Sequence, residues 1–230
     1  MSETLPRHIV TSYDAEIRRL DSLLAEMGGR CESQLVAAVR SVVERDAELA
    51  RETVSQDIVI DALEREVESL IVRLLALRQP VAIDLRHTLA SLKAASALER
   101  AGDYAKNIAK RGAALTALPA LSCTPSIGKL GRLAQDLLHE ALNALTTRDT
   151  GLAADVWQRD QELDDLHAAV MEEIFGCLSG DRAQAEACSH LQFVAKNLER
   201  IGDLSTNIAE MVTFDATGRR IEKDRPRGGA

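Results

Sequence analysis

Carboxylates one helical turn apart recur through this chain in matched sets. Glu99 and Asp103 are followed by Asn107, and a hundred residues later Glu199 and Asp203 are followed by Asn207. Asp57 and Asp61 run on into Glu64 and Glu68, and Asp160 and Asp164 run on into His167. At 3.6 residues per turn the members of an i, i+4 pair share one helix face. Two such faces brought together offer four or more oxygens, the donor set taken by hard cations such as Fe, Mn or Mg, with water completing the shell. Zn is a further candidate, because carboxylate sites discriminate poorly among metals. Unpaired, such neighbours cost a helix a few tenths of a kcal/mol each by repulsion. The rival reading is a solvated acidic face, since about a quarter of any soluble chain is charged. One pair carries almost no weight against that rival, whereas matched sets carry more.

The sets lie in a sentence written twice, LERAGDYAKNIAK from Leu98 to Lys110 and LERIGDLSTNIAE from Leu198 to Glu210. Leu98, Ala101, Ala105 and Ile108 form the apolar stripe that faces a core, and the acidic row lies away from it. Gly102 and Gly202 stand inside these helices, where glycine costs roughly 1 kcal/mol relative to alanine. Close approach of a neighbouring helix is the gain that offsets this, and the helices carrying Asp57 and Asp160 are the expected neighbours. Arg100 and Arg200 recur as well, pointing away from the stripe. They are either solvated or contacts for an anion or partner, to which guanidinium geometry is suited. His8, His87, His139 and His190 share no ligand spacing and read as ordinary surface or partly buried residues; His167, one turn beyond Asp164, is the histidine placed to touch a metal. No catalytic residue is assigned: there is no glycine-rich phosphate loop and no nucleophile with a recognisable base.

Long helices must position these rows. The chain has 230 residues, 46% hydrophobic and only 3% aromatic, a balance that favours an all-α protein. Helical periodicity runs nearly throughout, as in Ile17, Leu20, Leu24, Met27, Cys31, Leu35, Ala38 and Val42. Breaks near Arg45 to Ala47, at LRQP with Pro80 suited to a first helical turn, at 118–128, 146–151 and 178–181 predict helices over 8–45, 47–78, 80–116, 125–148, 149–177 and 182–213. The repeated sentence falls late in the third and sixth, so the reading is a tandem pair of antiparallel three-helix bundles. The units are 1–118 and 119–215, with a flexible charged tail over 216–230. A net charge of -8 speaks against nucleic acid and is compatible with cations. The opening MSETLPRH lacks a signal-peptide pattern and no long apolar run occurs. Cys31, Cys123, Cys177 and Cys188 show no CxxC spacing and read as small buried hydrophobes in a reducing cytoplasm.

The segments YDAEIRRL (13–20), MGGRCESQL (27–35), IDALEREVE (60–68), LALRQPVAIDLR (75–86), ALERAGDYAKNIAKR (97–111) and NLERIGDLSTNIAE (197–210) together resemble the PhoU family of bacterial phosphate-signalling regulators. The resemblance implies two three-helix PhoU repeats in a cytoplasmic homodimer, peripheral to the membrane only through its partners. Those partners are the ATPase subunit of the phosphate ABC transporter and a PhoR-type sensor histidine kinase, with restraint of the phosphate-starvation response as the outcome. It implies multinuclear metal clusters at E/D-x-x-x-D motifs: Asp57, Asp61, Glu99 and Asp103 in the first, Asp160, Asp164, Glu199 and Asp203 in the second, with Asn107 and Asn207 ligating or adjacent. His167 and Met171 stand where the first half has Glu64 and Glu68, so the second site is expected to be smaller, softer or empty. The alternative is a ferritin-like metal-binding or di-iron protein, which calls for Glu-x-x-His; that pattern is absent, and Asp-x-x-His occurs at 84–87, 136–139 and 164–167. A bare scaffold without metal is the remaining reading.

Overall fold

Six helices follow one another, α1 Leu5–Val43, α2 Ala47–Arg78, α3 Ile83–Leu115, α4 Thr124–Thr147, α5 Thr150–Gly176 and α6 Arg182–Thr217. The computed structural model describes residues 5–178 and 181–219, with side chains from Tyr13 onward. The junctions α1–α2 and α4–α5 are built alike. Arg45 and Arg148 take positive φ (58° and 54°), which breaks the helical run. The next residue then caps: Asp46 accepts from the backbone N–H of Glu48 and Leu49, and Asp149 from Gly151 and Leu152. Each cap satisfies donors that the first helical turn leaves without partners.

Two boundaries depart from the sequence reading. Pro80 does not open α3; Gln79 in the left-handed region ends α2, and α3 starts at Ile83 after Ala82. Ala82 has φ 50° and ψ -111°, a conformation costly for a residue with a Cβ. Helix α6 runs on to Thr217, where Gly218 at φ 73° donates its N–H to Phe214 O. The tail expected over 216–230 thus begins inside the helix, and residues 220–230 lie outside those described.

Helices α1, α2 and α3 pack mutually, as do α4, α5 and α6, and the two groups join through α3 against α6 and α1 against α4. Helices α2 and α5 do not meet each other among the described residues. The predicted α1 stripe is the core from Leu20 on: Leu20, Leu24, Met27, Cys31, Leu35, Ala38 and Val42 are buried, and Ile17 is half-buried against them. Ile60, Val67 and Leu74 face it from α2 and Leu98, Ala101, Ala105 and Ile108 from α3. Each fully buried leucine or isoleucine contributes about 1.5–3 kcal/mol, so this stripe governs which face of each helix turns inward. The two groups interlock through small residues as well; a methyl on Gly28 of α1 would press on Leu142 of α4, and one on Gly131 on Val39. All four cysteines are free; Cys31, Cys123 and Cys188 are buried, while Cys177 is half-buried. Among the described residues no helix is long and apolar enough to cross a membrane.

Candidate functional site

Helices α2 and α3 meet at the first acidic seam. The close approach foreseen at Gly102 is present, since a Cβ there would stand 3.0 Å from Ile60 Cδ1 of α2 and 3.2 Å from Gln34 Oε1 of α1. Asp57 is only 5% exposed. It is not bare: Lys106 Nζ donates to Asp57 Oδ2 at 2.5 Å and to Asp103 Oδ1 at 2.9 Å. Gln34 Nε2 approaches Asp57 Oδ1 at 3.5 Å. Hydrogen bonds to Asp57 and Asp103 hold the Lys106 ammonium above its usual range. Farther along, burial pushes Glu99 up, with repulsion from Asp103, Asp61 and Asp57 adding to it; burial does the same to Glu64, helped by Glu99, Glu68 and Asp61. The seam therefore gathers Asp57, Asp61, Glu64, Glu68, Glu99 and Asp103 within electrostatic reach, with one internal ammonium as counter-charge.

The second seam, between α5 and α6, has the same frame and a different filling. Gly202 lets the Leu163 side chain of α5 pack where a Cβ would otherwise stand, close to Asp160 Oδ1. Asp160 is 3% exposed. Position 206, the counterpart of Lys106, is threonine, whose hydroxyl donates to Asp203 O of its own helix. Cations come instead from the α6 flank. Lys196 Nζ lies 2.7 Å from Glu199 Oε2, and Arg200 donates to Asp203 Oδ2 at 3.1 Å. The Lys196 contact is an ion pair without hydrogen-bond alignment, and two buried atoms of this seam have no hydrogen-bond partner: Glu199 Oε2 and His167 Nε2. Burial holds His167 below its usual range despite the nearby Glu199 and Asp164, so it is neutral and its ring nitrogen can act as a metal donor.

Among the described residues no three His, Cys, Asp or Glu side chains are already grouped as a metal site. In the first seam an entering cation must displace Lys106. In the second, the donor chemistry fits an ion that takes the place of Lys196 on Glu199, since the buried imidazole nitrogen of His167 has no hydrogen-bond partner and Glu199 Oε2 is held by ion pairs alone. Asn107 and Asn207 are exposed and line cavities on the open side of the α3–α6 contact. Arg100 and Arg200 converge there too, on a cavity of about 210 Å³.

A second polar cluster escaped the sequence reading. His87 is not an ordinary surface residue: it is 8% exposed and held by carboxylates from two other helices. Its Nδ1 lies 2.7 Å from Asp215 Oδ2 of α6 and its Nε2 3.0 Å from Asp21 Oδ1 of α1. Arg148, which ends α4, donates to Asp21 Oδ2 at 3.3 Å. Burial alone would depress His87, but the bonds to Asp21 and Asp215 outweigh it and raise it to about 9. The cluster ties the halves together beside a cavity of about 180 Å³. The one legible sign was position: His87 lies on the same face as Ala90, Ala94 and Leu98. His139 of α4 pairs with Glu32 of α1 at 2.6 Å.

Comparison with known proteins adds independent findings. The PhoU domain model matches residues 24–112 and again 127–212. The chain is 45% identical over 224 residues to the phosphate-specific transport system accessory protein PhoU homolog of Caulobacter vibrioides (strain NA1000 / CB15N), covering 97% of each chain. It is 39% identical over 221 residues to the homolog of the same name from Zymomonas mobilis subsp. mobilis, covering 96% of this chain and 93% of that one. The crystal structure of PhoU from Pseudomonas aeruginosa superposes with a TM-score of 0.85 at 32% identity, covering 90% of this chain and 100% of that one. The phosphate transport system regulatory protein PhoU from Streptococcus pneumoniae gives 0.83 at 26% identity, covering 91% and 99%.

Proposed function

This chain belongs to the PhoU family, and from that premise we propose that it is an accessory regulator of phosphate-specific transport that restrains the phosphate-starvation response. The family is one of regulatory accessory proteins, not enzymes, which leaves the ferritin-like oxidase reading without support. The chain works in the cytoplasm as a homodimer between the ATPase subunit of the phosphate transporter and a PhoR-type sensor kinase. It biases its partners by binding one of their states more tightly than the other, the only way a bound protein shifts such an equilibrium.

Metal belongs to this reading at the acidic seams. Asp160, Asp164, His167, Glu199 and Asp203 would hold it in the second half, and Asp57, Asp61, Glu99 and Asp103 in the first. Bound there, it would neutralise carboxylates that otherwise repel. The observation that carries the assignment is the buried His167 Nε2, which has no hydrogen-bond partner and lies within electrostatic reach of Glu199 and Asp164. It favours the second seam, the reverse of the order that counting carboxylates suggests. Elemental analysis of the purified chain tests it. Glu199→Gln with Asp203→Asn should remove more than half of the bound metal, and Glu99→Gln with Asp103→Asn less. Unchanged metal in both would overturn the assignment. Retention of transporter or kinase subunits from lysate, with and without phosphate and chelator, tests the partners; retention indifferent to both would leave a bare scaffold.

A further inference from the structure

The α3–α6 contact has an inner side, covered by α1 and α4, and an open side that no helix among the described residues covers. Along the open side each helix presents a stripe spaced by three and four. On α3 it runs Lys93, Ala97, Arg100, Tyr104, Asn107 and Arg111; on α6 it runs His190, Phe193, Asn197, Arg200, Leu204 and Asn207. Cavities follow these stripes in order. One of about 230 Å³ and one of about 210 Å³ share Arg100, Leu204 and Asn207, and a third of about 430 Å³ continues past Asn107 to Arg111 and Phe193. Two parallel ridges of i, i+3 and i, i+4 side chains are the surface into which a further helix packs.

The charge of this groove is opposite to that of the molecule. The chain carries -8 overall, yet the groove gathers Lys93, Arg100, Lys110, Arg111 and Arg200 against Asp203 and Glu210. Lys93, Arg100 and Lys110 are exposed and have no ion pair or hydrogen bond among the described residues. Such unpaired cations stand ready for a partner's carboxylates. An apolar anchor point lies between them: Phe193 is 52% exposed, and the Arg111 guanidinium sits over its ring at 4.5 Å. Stacked in this way the pair forms a pre-ordered platform of the kind that carries interface energy.

We propose that this groove docks an acidic amphipathic helix of a partner protein, carboxylates toward Lys93, Arg100 and Lys110 and an apolar face toward Phe193. The span from Lys93 to Lys110 is about 25 Å, which a helix of about 17 residues matches. The proposal rests on the regulatory reading only in taking a protein as the occupant, and it does not require metal in the seams.

The test uses the full chain and a fluorescein-labelled peptide of about 18 residues made of Glu, Ala and Leu, with leucines on one helical face. Its counterpart carries Lys in place of Glu. Fluorescence anisotropy should show the acidic peptide bound, more weakly as salt rises, and the basic one not bound in the groove. The triple variant Lys93→Glu, Arg100→Glu, Lys110→Glu should weaken binding by at least about tenfold. Phe193→Ser should weaken it several-fold, and Lys129→Glu on α4 should leave it unchanged. Circular dichroism confirms that the variants fold. Failure of the wild type to prefer the acidic peptide, or full binding by the folded triple variant, overturns the proposal. So does an oligonucleotide that binds as tightly and is lost in the same variant. Metal content measured on these variants separates the outcomes: lost peptide with metal retained indicts the groove alone.

Discussion

Asp57 and Asp160 occupy the same place in the two halves, each buried at a seam where a glycine of the neighbouring helix admits the residue three positions on, Ile60 or Leu163. Asp57 is held by an ammonium that reaches across from α3, whereas position 206, the counterpart of Lys106, is a threonine turned back on its own helix. The flanking cations differ in the same sense. Lys196 and Arg200 sit on the carboxylates of α6 at the second seam, and Ser96 replaces that lysine in the first half. One duplicated frame has thus been neutralised in two ways, from within at the first seam and from the rim at the second. Each keeps buried polar atoms without hydrogen bonds, Gln34 Oε1 at the first and His167 Nε2 and Glu199 Oε2 at the second. A repeated motif preserves where charge is placed, and substitutions one turn away change which cations meet it.

The largest expected effect tests whether the internal ammonium matters. Lys106→Met leaves the Asp57 carboxylate buried with only the long contact to Gln34, and should destabilise the chain by about 3 kcal/mol in chemical denaturation. Thr206→Val removes one bond within a helix and should cost less than about 1 kcal/mol. Equal losses would erase the contrast between the seams.

Next come the two histidines, one held charged and one held neutral. His87 is raised in the folded chain, to about 9 from 6.5. Its contribution is therefore fully present below pH 6.5 and is lost as pH rises through about 9, amounting to about 3 kcal/mol. His167 is lowered, so folding is favoured above pH 6.5 and disfavoured below it. His87→Gln should flatten the alkaline slope of stability and His167→Gln the acidic one. An alkaline slope that survives in His87→Gln would show that the bonds to Asp21 and Asp215 do not hold the charge.

The smallest effect is a difference in sign. Glu99 is raised from 4.5, so the folded chain prefers it protonated and carries a penalty at neutral pH. Glu99→Gln should stabilise by a few tenths of a kcal/mol at pH 7, a gain that fades as pH falls through the carboxylate range. Glu199, 15% exposed at its side chain and paired with Lys196, should instead lose stability as Gln, by roughly 1 kcal/mol. Matching signs in thermal melts would mean that the seams are electrostatically alike.

Helix number, helix bounds to within a few residues and the inward stripes were all legible from residue spacing, because periodicity and capping are local. The breaks at Arg45–Asp46 and Arg148–Asp149 could be read for the same reason. Gly102 and Gly202 announced a close neighbour, since an unneeded glycine in a helix is a cost without a local gain. Lys106 was visible in the repeated sentence itself, yet its role was not, because its two carboxylates belong to different helices.

The amino-acid order by itself therefore determined a duplicated all-α chain with acidic rows beside its repeated glycines, and the family to which it belongs. Only the tertiary structure decided which charges meet. It set Lys106 between Asp57 and Asp103, left His167 Nε2 and Glu199 Oε2 without hydrogen-bond partners, and drew His87, Asp21, Arg148 and Asp215 from four elements into one knot. Helical periodicity is encoded within a few neighbouring residues, whereas an electrostatic partner is fixed by the rotation and offset of helices that are distant in sequence. Those follow from packing the whole core.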